Sequence, residues 1–435
     1  MPGLIFGVSG VRGVVNSSLF PQDSLALGLS LGNFISGDIV VGRDTRKTGD
    51  LILNAFVGGL LSTGNSVINL GIVPTPTVLL NTYLLRKSGG AVITASHNPL
   101  EWNGVKFNDR DGIFLSEEEV RALYEIFEKK DFRIAPWEEV GIMECDGNGV
   151  KRHIDRILGL IDVEKIRERR YKVIFDGCRG ALCSPAEELL SLLGCSVKIL
   201  ESNREPEPVP SNLGEVRDAC ASGDFDIGFA SDMDGDRIAV ITEDGKVPGE
   251  EYTFALALSH IFKRKKGKVV TNLSTSRMAE SIAGDYLIRT KVGEANVVRK
   301  MMEVEAVFGG EGNGGVIWPD MHPTRDGLSA ISILLQYMAE EGEPVSKLIK
   351  RLPWYHMKKE KVEIGDKVDL ERLIEHLPRG EVRREDGIRI DYGDAFIHIR
   401  RSNTEDVIRI ICEAEREKTC EVLLERARKA LSLND

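Results

Sequence analysis

Short apolar runs alternate with longer amphipathic stretches through most of the chain. Ile39-Val40-Val41 leads into a polar turn, Gly42-Arg43-Asp44-Thr45-Arg46. A helical pattern around 51–61, Gly64 and a second apolar run at 66–70 follow. The same succession returns from Tyr171: an apolar run at Val173-Ile174-Phe175, a turn at Asp176-Gly177-Cys178-Arg179-Gly180, a helix near 185–193, Gly194, and a strand at 196–200. A looser third copy has Val269-Val270, polar residues 272–276, a helix from Arg277 and a strand at 286–289. Continuous apolar runs are what strands covered on both faces show, and parallel neighbours need a helical crossover between them. Each copy therefore predicts a β-α-β unit, and together they predict a threefold α/β repeat.

The pattern changes near the end. Residues 358–364 read as a strand and 370–377 as a short helix. Strands at 388–392, 395–401 and 407–413 follow, then a helix at 418–431. Strands connected without long helices predict an α+β domain with a mostly antiparallel sheet. The predicted fold class is α/β: three consecutive α/β mixed-sheet domains, at 1–146, 147–247 and 248–355, then an α+β domain at 356–435. Residues 205–210, rich in proline, read as a loop inside the second.

Composition narrows the function. The chain has 435 residues, 42% hydrophobic and 29% charged, which suits several ordinary cores. A net charge of −11 argues against nucleic acid as a partner. The seven cysteines form no CxxC pair, so neither a disulfide framework nor a zinc site is expected, and a reducing cytoplasm is. No basic start followed by an apolar stretch marks a signal peptide, and no apolar run is long enough to span a membrane.

Five segments can carry chemistry. In Thr94-Ala95-Ser96-His97-Asn98-Pro99, an apolar strand feeds a tight turn, which places Ser96 where open α/β sheets gather ligands. Ser96 is then either a turn-forming serine or, once phosphorylated, a phosphoryl donor. In Asp232-Met233-Asp234-Gly235-Asp236-Arg237, carboxylates at alternate positions between two strands repel one another unless a hard cation neutralises them. Oxygen ligands suit Mg2+, and Arg237 can hold a phosphate beside it. The segment is no EF-hand, because Arg237 stands where the glycine belongs and the flanks are strands. Residues 309–315 hold five glycines in seven positions. There Glu311 and Asn313 offer an acceptor and a mixed donor–acceptor for sugar hydroxyls, unless the segment is simply a flexible turn. Arg400, Ser402, Asn403 and Thr404, with Arg409 downstream, form either a phosphate cradle or a basic surface turn. Gly7–Gly13 adds a glycine-rich loop with Arg12.

Taken together and in this order, these motifs resemble the α-D-phosphohexomutase superfamily over essentially the whole chain. The resemblance implies four domains around a central cleft, each giving one loop. It implies a phosphoserine at Ser96, whose phosphate joins Asp232, Asp234 and Asp236 around Mg2+. It places Arg237, Arg12, His97 and Lys106 about the transferred phosphate, with Lys106 a proton-transfer group if its pKa is lowered and a fixed cation otherwise.

The implied reaction interconverts hexose or hexosamine 1-phosphate and 6-phosphate through a 1,6-bisphosphate, which also serves as activator. The phosphomannomutase/phosphoglucomutase and phosphoglucosamine mutase activities are the rival forms, and sugar reorientation implies that the fourth domain moves. Two histidines frequent in the superfamily are replaced here by Gly315 and Glu294. Prolines frequent in its phosphate loop are replaced by Arg401 and Asp406. A non-catalytic phosphosugar-binding relative and a metal-dependent sugar phosphatase are the alternatives. The first has no need of a donor serine, and the second requires a water-activating group.

Overall fold

The computed structural model describes residues 4–7, 10–363, 370–402 and 407–432. Four sheets follow one another along the chain. The first has seven strands, in the order Ile5–Gly7, Gly10–Val14, Trp102–Asn108, Gly89–Ile93, Ile39–Arg43, Val67–Ile72, Met143–Cys145. Its Ile39–Arg43 and Val67–Ile72 strands are parallel and joined by the Gly49–Ser62 helix, as the first repeat predicts. The second sheet pairs Lys172–Asp176 in parallel with Ser196–Ile199 across the Cys183–Leu192 helix. The third pairs Val269–Asn272 in parallel with Leu287–Thr290. Its crossover helix is short, Met278–Ala283, and ends in a 3-10 turn. Antiparallel strands complete all three sheets, so each is mixed. The fourth sheet is wholly antiparallel, five strands backed by the Glu417–Ser432 helix.

Two helices depart from a one-sided pattern. In Glu251–Arg264 and Gly327–Glu341 nearly every apolar side chain is buried, Leu256, Leu258, Ile331 and Leu334 among them. A helix apolar all round must be covered all round. These two lie inside a core that joins the second and third sheets, with members from Ile154 to Leu348, and takes in Leu80 from the first unit. The first sheet keeps a separate core between Val11 and Phe127, and the fourth another between Leu373 and Leu431. The second and third sheets thus form one packed body carrying the segments at 232–237 and 309–315, and the first unit packs on it through Leu80 and Ile113.

The segment at 309–315 is not a flexible loop. Phe308–Glu311 and Gly315–Trp318 form a tight antiparallel hairpin in which Glu311 pairs with Gly315. No helix among the described residues is long and apolar enough to cross a membrane.

Candidate active site

Ser96 follows the central Gly89–Ile93 strand and takes a left-handed backbone, φ 52°. A side-chain-bearing residue in that region is strained, and something must hold it there. Its amide donates to Thr94 Oγ1 at 2.8 Å, and that hydroxyl donates to Asp44 Oδ2 at 2.6 Å. Asp44 in turn accepts from Arg46 Nε at 3.1 Å. The fully buried Arg46 guanidinium donates to the carbonyls of Ser96, Asn98, Pro99 and Trp102 at 2.8, 2.7, 2.5 and 3.0 Å. An arginine has five N–H donors in a rigid fork, and here they fix the whole turn. The sequence shows Asp44 and Arg46 only as a polar turn.

Ser96 Oγ donates to Asp232 Oδ2 at 2.8 Å. Asp232, Asp234 and Asp236 are all fully buried on the turn between the antiparallel Ile227–Ser231 and Ile238–Thr242 strands, and one oxygen of each lies within 4.8 Å of the others. Gly235 supplies the positive φ that closes this turn, 70°. Burial, then the Asp236 and Asp234 charges, push the Asp232 carboxyl well above the usual range. Asp234 Oδ1 and Asp236 Oδ1 are buried without a hydrogen-bond partner. Unpaired buried carboxylate oxygens are costly, and a hard divalent cation satisfies them, so the donor set fits Mg2+.

Cations already surround the triad. Lys106 Nζ donates to Asp234 at 2.7 Å and Asp236 at 3.1 Å, and Arg325 Nη2 donates to Asp236 at 2.6 Å. Arg237 Nε stands 3.7 Å from Asp236 and 3.9 Å from Asp232. Burial raises the pKa of Asp236, but Arg325, Lys106 and Arg237 outweigh it and hold the carboxyl below its usual range. Burial lowers that of Lys106, but Asp234 and Asp236 outweigh it, and the ammonium titrates above its ordinary value. Of the two roles the sequence leaves open for Lys106, this pairing with two carboxylates fits the fixed cation. His97 Nδ1 lies 3.4 Å from Ser96 Oγ. Enclosure by protein, then the Arg237, Arg12 and Arg409 charges, push its pKa well below the usual imidazole range, so it is neutral at pH 7. Arg12 anchors on Asn98 Oδ1 at 2.9 Å; burial and Arg237 bring it down to about 10, and it stays charged.

One cavity of about 200 Å³ is lined by the described sequence-predicted residues other than the three aspartates. Ser96, His97, Lys106 and Arg12 line one wall, Arg237 adjoins them, Glu311 and Asn313 line another, and Arg400, Ser402 and Arg409 face in from the fourth sheet. Arg400 and Arg409 lie directly opposite each other on neighbouring antiparallel strands. Like charges so placed repel, and Arg400 Nε is buried without a hydrogen-bond partner. Burial lowers the Arg400 pKa, and Arg409 lowers it further. Such a pair is suited to a dianion. Asn403, Thr404 and Asp406 lie outside the described residues.

The cavity also holds residues the motifs did not single out. Lys359 bridges Glu250 and Glu251, both at 2.9 Å, and so ties the fourth sheet to the central body. Arg325 contacts Glu311 and Glu294 at 2.9 Å each. Both carboxylate oxygens of Glu311 are engaged, one by Arg325 and the other by Asn272 Nδ2 at 2.7 Å and the Gly293 amide at 3.0 Å. Arg325 and Lys359 sit in unremarkable sequence, which carries no local signal for them.

Sequence profiles match in four consecutive stretches. "Phosphoglucomutase/phosphomannomutase, alpha/beta/alpha domain I" covers residues 3–134, domain II 151–245, domain III 249–355 and the C-terminal domain 358–430. A "Phosphoglucomutase/phosphomannomutase" of Thermococcus kodakarensis is 36% identical over 99% of this chain and 98% of its own length. A "Phosphoglucosamine/phosphogalactosamine mutase" of Sulfurisphaera tokodaii is 33% identical over 98% and 99%. The crystal structure of a phosphoglucomutase/phosphomannomutase family protein from Burkholderia thailandensis superimposes with a TM-score of 0.87 at 26% identity, covering 99% of this chain and 97% of that one.

Proposed function

The chain belongs to the phosphoglucomutase/phosphomannomutase family, and we propose that Ser96, as phosphoserine, is its phosphoryl donor. The protein is a phosphohexomutase, an intramolecular phosphotransferase that interconverts hexose or hexosamine 1-phosphate and 6-phosphate. The observation that carries the reading of the site is the Ser96 Oγ–Asp232 hydrogen bond at 2.8 Å, beside a cavity that Ser96, Arg400 and Arg409 all line. A nucleophile beside a carboxylate cluster and a separate anion cradle are what a phosphomutase must bring together.

Arg400, Ser402 and Arg409 hold the phosphate that does not react. This directs the far hydroxyl of the sugar at Ser96. The phosphoserine P–O bond breaks as that hydroxyl bonds to phosphorus, giving a 1,6-bisphosphate and free Ser96. The bisphosphate turns over, its other phosphate now faces Ser96, and the reverse transfer regenerates phosphoserine and releases the isomer. Arg12, Arg237 and Lys106 stabilise charge on the equatorial oxygens as fixed cations. Neutral His97, 3.4 Å from Ser96 Oγ, is placed to take the proton released by the sugar hydroxyl and pass it to the departing Ser96 oxygen. Glu311 and Asn313 face the sugar hydroxyls. Asp232, Asp234 and Asp236 would hold Mg2+, which supplies charge neutralisation at the transferring phosphoryl group.

The test is incubation with Mg2+, the 1-phosphates of glucose, mannose and glucosamine, and a trace of the matching 1,6-bisphosphate. Conversion to 6-phosphate without free phosphate, lost in Ser96→Ala, is expected. Release of free phosphate would make the protein a sugar phosphatase. No turnover by fully phosphorylated protein would make it a phosphosugar-binding relative.

A further inference from the structure

Arg325 ends the His322–Arg325 strand of the central body, and its guanidinium joins three carboxylates from three different segments. Nη2 donates to Asp236 Oδ2 at 2.6 Å, Nη1 to Glu311 Oε2 at 2.9 Å and Nε to Glu294 Oε2 at 2.9 Å. Asp236 belongs to the triad and Glu311 to the sugar-facing hairpin. Glu294 opens the Glu294–Glu303 helix and is itself fixed by Thr324 Oγ1 at 2.7 Å and the Arg325 amide at 2.8 Å. The hairpin makes room for this arrangement at Gly315, where a Cβ would stand 2.3 Å from Arg325 Cδ. Gly315 and Glu294 therefore accommodate and aim one arginine. Lys106 does not duplicate this link, because its ammonium reaches only Asp234 and Asp236 on a single turn.

We propose that Arg325 is a positioning residue that couples cation binding at Asp236 to the state of the sugar-facing carboxylate Glu311. The proposal rests on reading the triad as a cation site and Glu311 as facing the sugar. One planar guanidinium is shared between the two groups, so a change at either redistributes its hydrogen bonds at the other. With the Glu311 carboxylate neutralised, Arg325 turns more fully to Asp236, competes with the cation there, and weakens its binding.

The test is a double-mutant cycle read by Mn2+ binding to the full-length, unphosphorylated protein, followed by electron paramagnetic resonance without substrate. Glu311→Gln is expected to weaken Mn2+ binding about threefold or more in the wild-type background and to leave it unchanged in an Arg325→Lys background. The same weakening in both backgrounds, or in neither, overturns the coupling and leaves the triad reading intact. If Arg325→Lys does not fold, Gly315→Ala displaces the guanidinium without removing its charge, and the cycle is run in that background with the same expectations. Wild-type protein that binds no more Mn2+ than Asp234→Asn refutes the cation site, and the coupling falls with it. In turnover the Arg325→Lys variant is expected to lower kcat and raise KM together, whereas a purely structural brace would lower thermal stability and leave both constants of the folded protein alone.

Discussion

Arg46 Nη2 donates to the carbonyl oxygen of Ser96 at 2.8 Å, so a guanidinium fully buried behind the turn holds the backbone of the nucleophile in its left-handed conformation. A lysine at 46 would bring a point charge and fewer donors to a site where one carboxylate and four carbonyls need partners. Arg46→Lys is expected to lose about 3 kcal/mol of stability through weakened pairing of buried Asp44. It should also lower kcat on the order of tenfold to a hundredfold through misplacement of Ser96, with KM nearly constant because the phosphate cradle is untouched. Thermal melts and steady-state kinetics check this; an unchanged kcat in folded protein would count against the clamp.

The triad predicts a dependence of stability on divalent cation. Mg2+ bound to the folded state alone stabilises by about 2.7 kcal/mol at a hundredfold excess over Kd. Adding Mg2+ to chelator-treated protein should raise the melting temperature and restore activity. Asp234→Asn, which alters a carboxylate with an unpartnered buried oxygen, should lose both responses.

The Arg400–Arg409 pair predicts where affinity resides. Arg400→Met should raise KM for the sugar phosphate about ten- to a hundredfold, the equivalent of one charge-assisted hydrogen bond lost. Phosphorylation of Ser96 by a 1,6-bisphosphate at saturation should persist, as mass spectrometry of the Ser96 peptide can show. Loss of phosphorylation at saturation would assign Arg400 to the transfer step instead.

His322 predicts a pH dependence. Its ring is buried, its Nε2 bonds the Gly112 carbonyl at 2.9 Å, and burial, reinforced by Arg156, lowers its pKa to about 4. The unfolded chain binds the proton at about 6.5, so the unfolded state takes up more protons in the window between. The contribution of His322 is complete above about pH 6.5 and is lost as pH falls toward 4, roughly 1.4 kcal/mol per unit. Between pH 7 and pH 5, His322→Asn should therefore lose about 2 kcal/mol less stability than wild type. Parallel denaturant curves for the two proteins would refute the assignment.

Much of the architecture is legible before folding. The apolar runs at 39–41 and 173–175 are continuous because parallel strands are covered on both faces, and both become parallel strands. The switch near 355 to strands without crossover helices gives the antiparallel fourth sheet. The aspartates at 232, 234 and 236 are legible because their mutual repulsion is a local fact that needs no fold. Less clear was the third repeat, whose short crossover helix leaves too few turns for a strong periodic pattern. The hairpin pairing on either side of residues 312–314 was not legible, because glycines permit close strand pairing as readily as they permit disorder.

Residue type and spacing along the chain thus determined the sheets, the serine turn and the acidic turn, since hydrophobic period and charge repulsion act between near neighbours. Tertiary structure alone decided which distant groups meet. It set Arg46 behind Ser96, Arg400 across from Arg409, and Arg325 among Asp236, Glu294 and Glu311. It also set Lys106 against two carboxylates more than a hundred residues away in sequence, brought to 2.7 and 3.1 Å by folding, and their charges favour its protonated form. Electrostatic energy depends on distance and burial, and neither is written in the order of the residues.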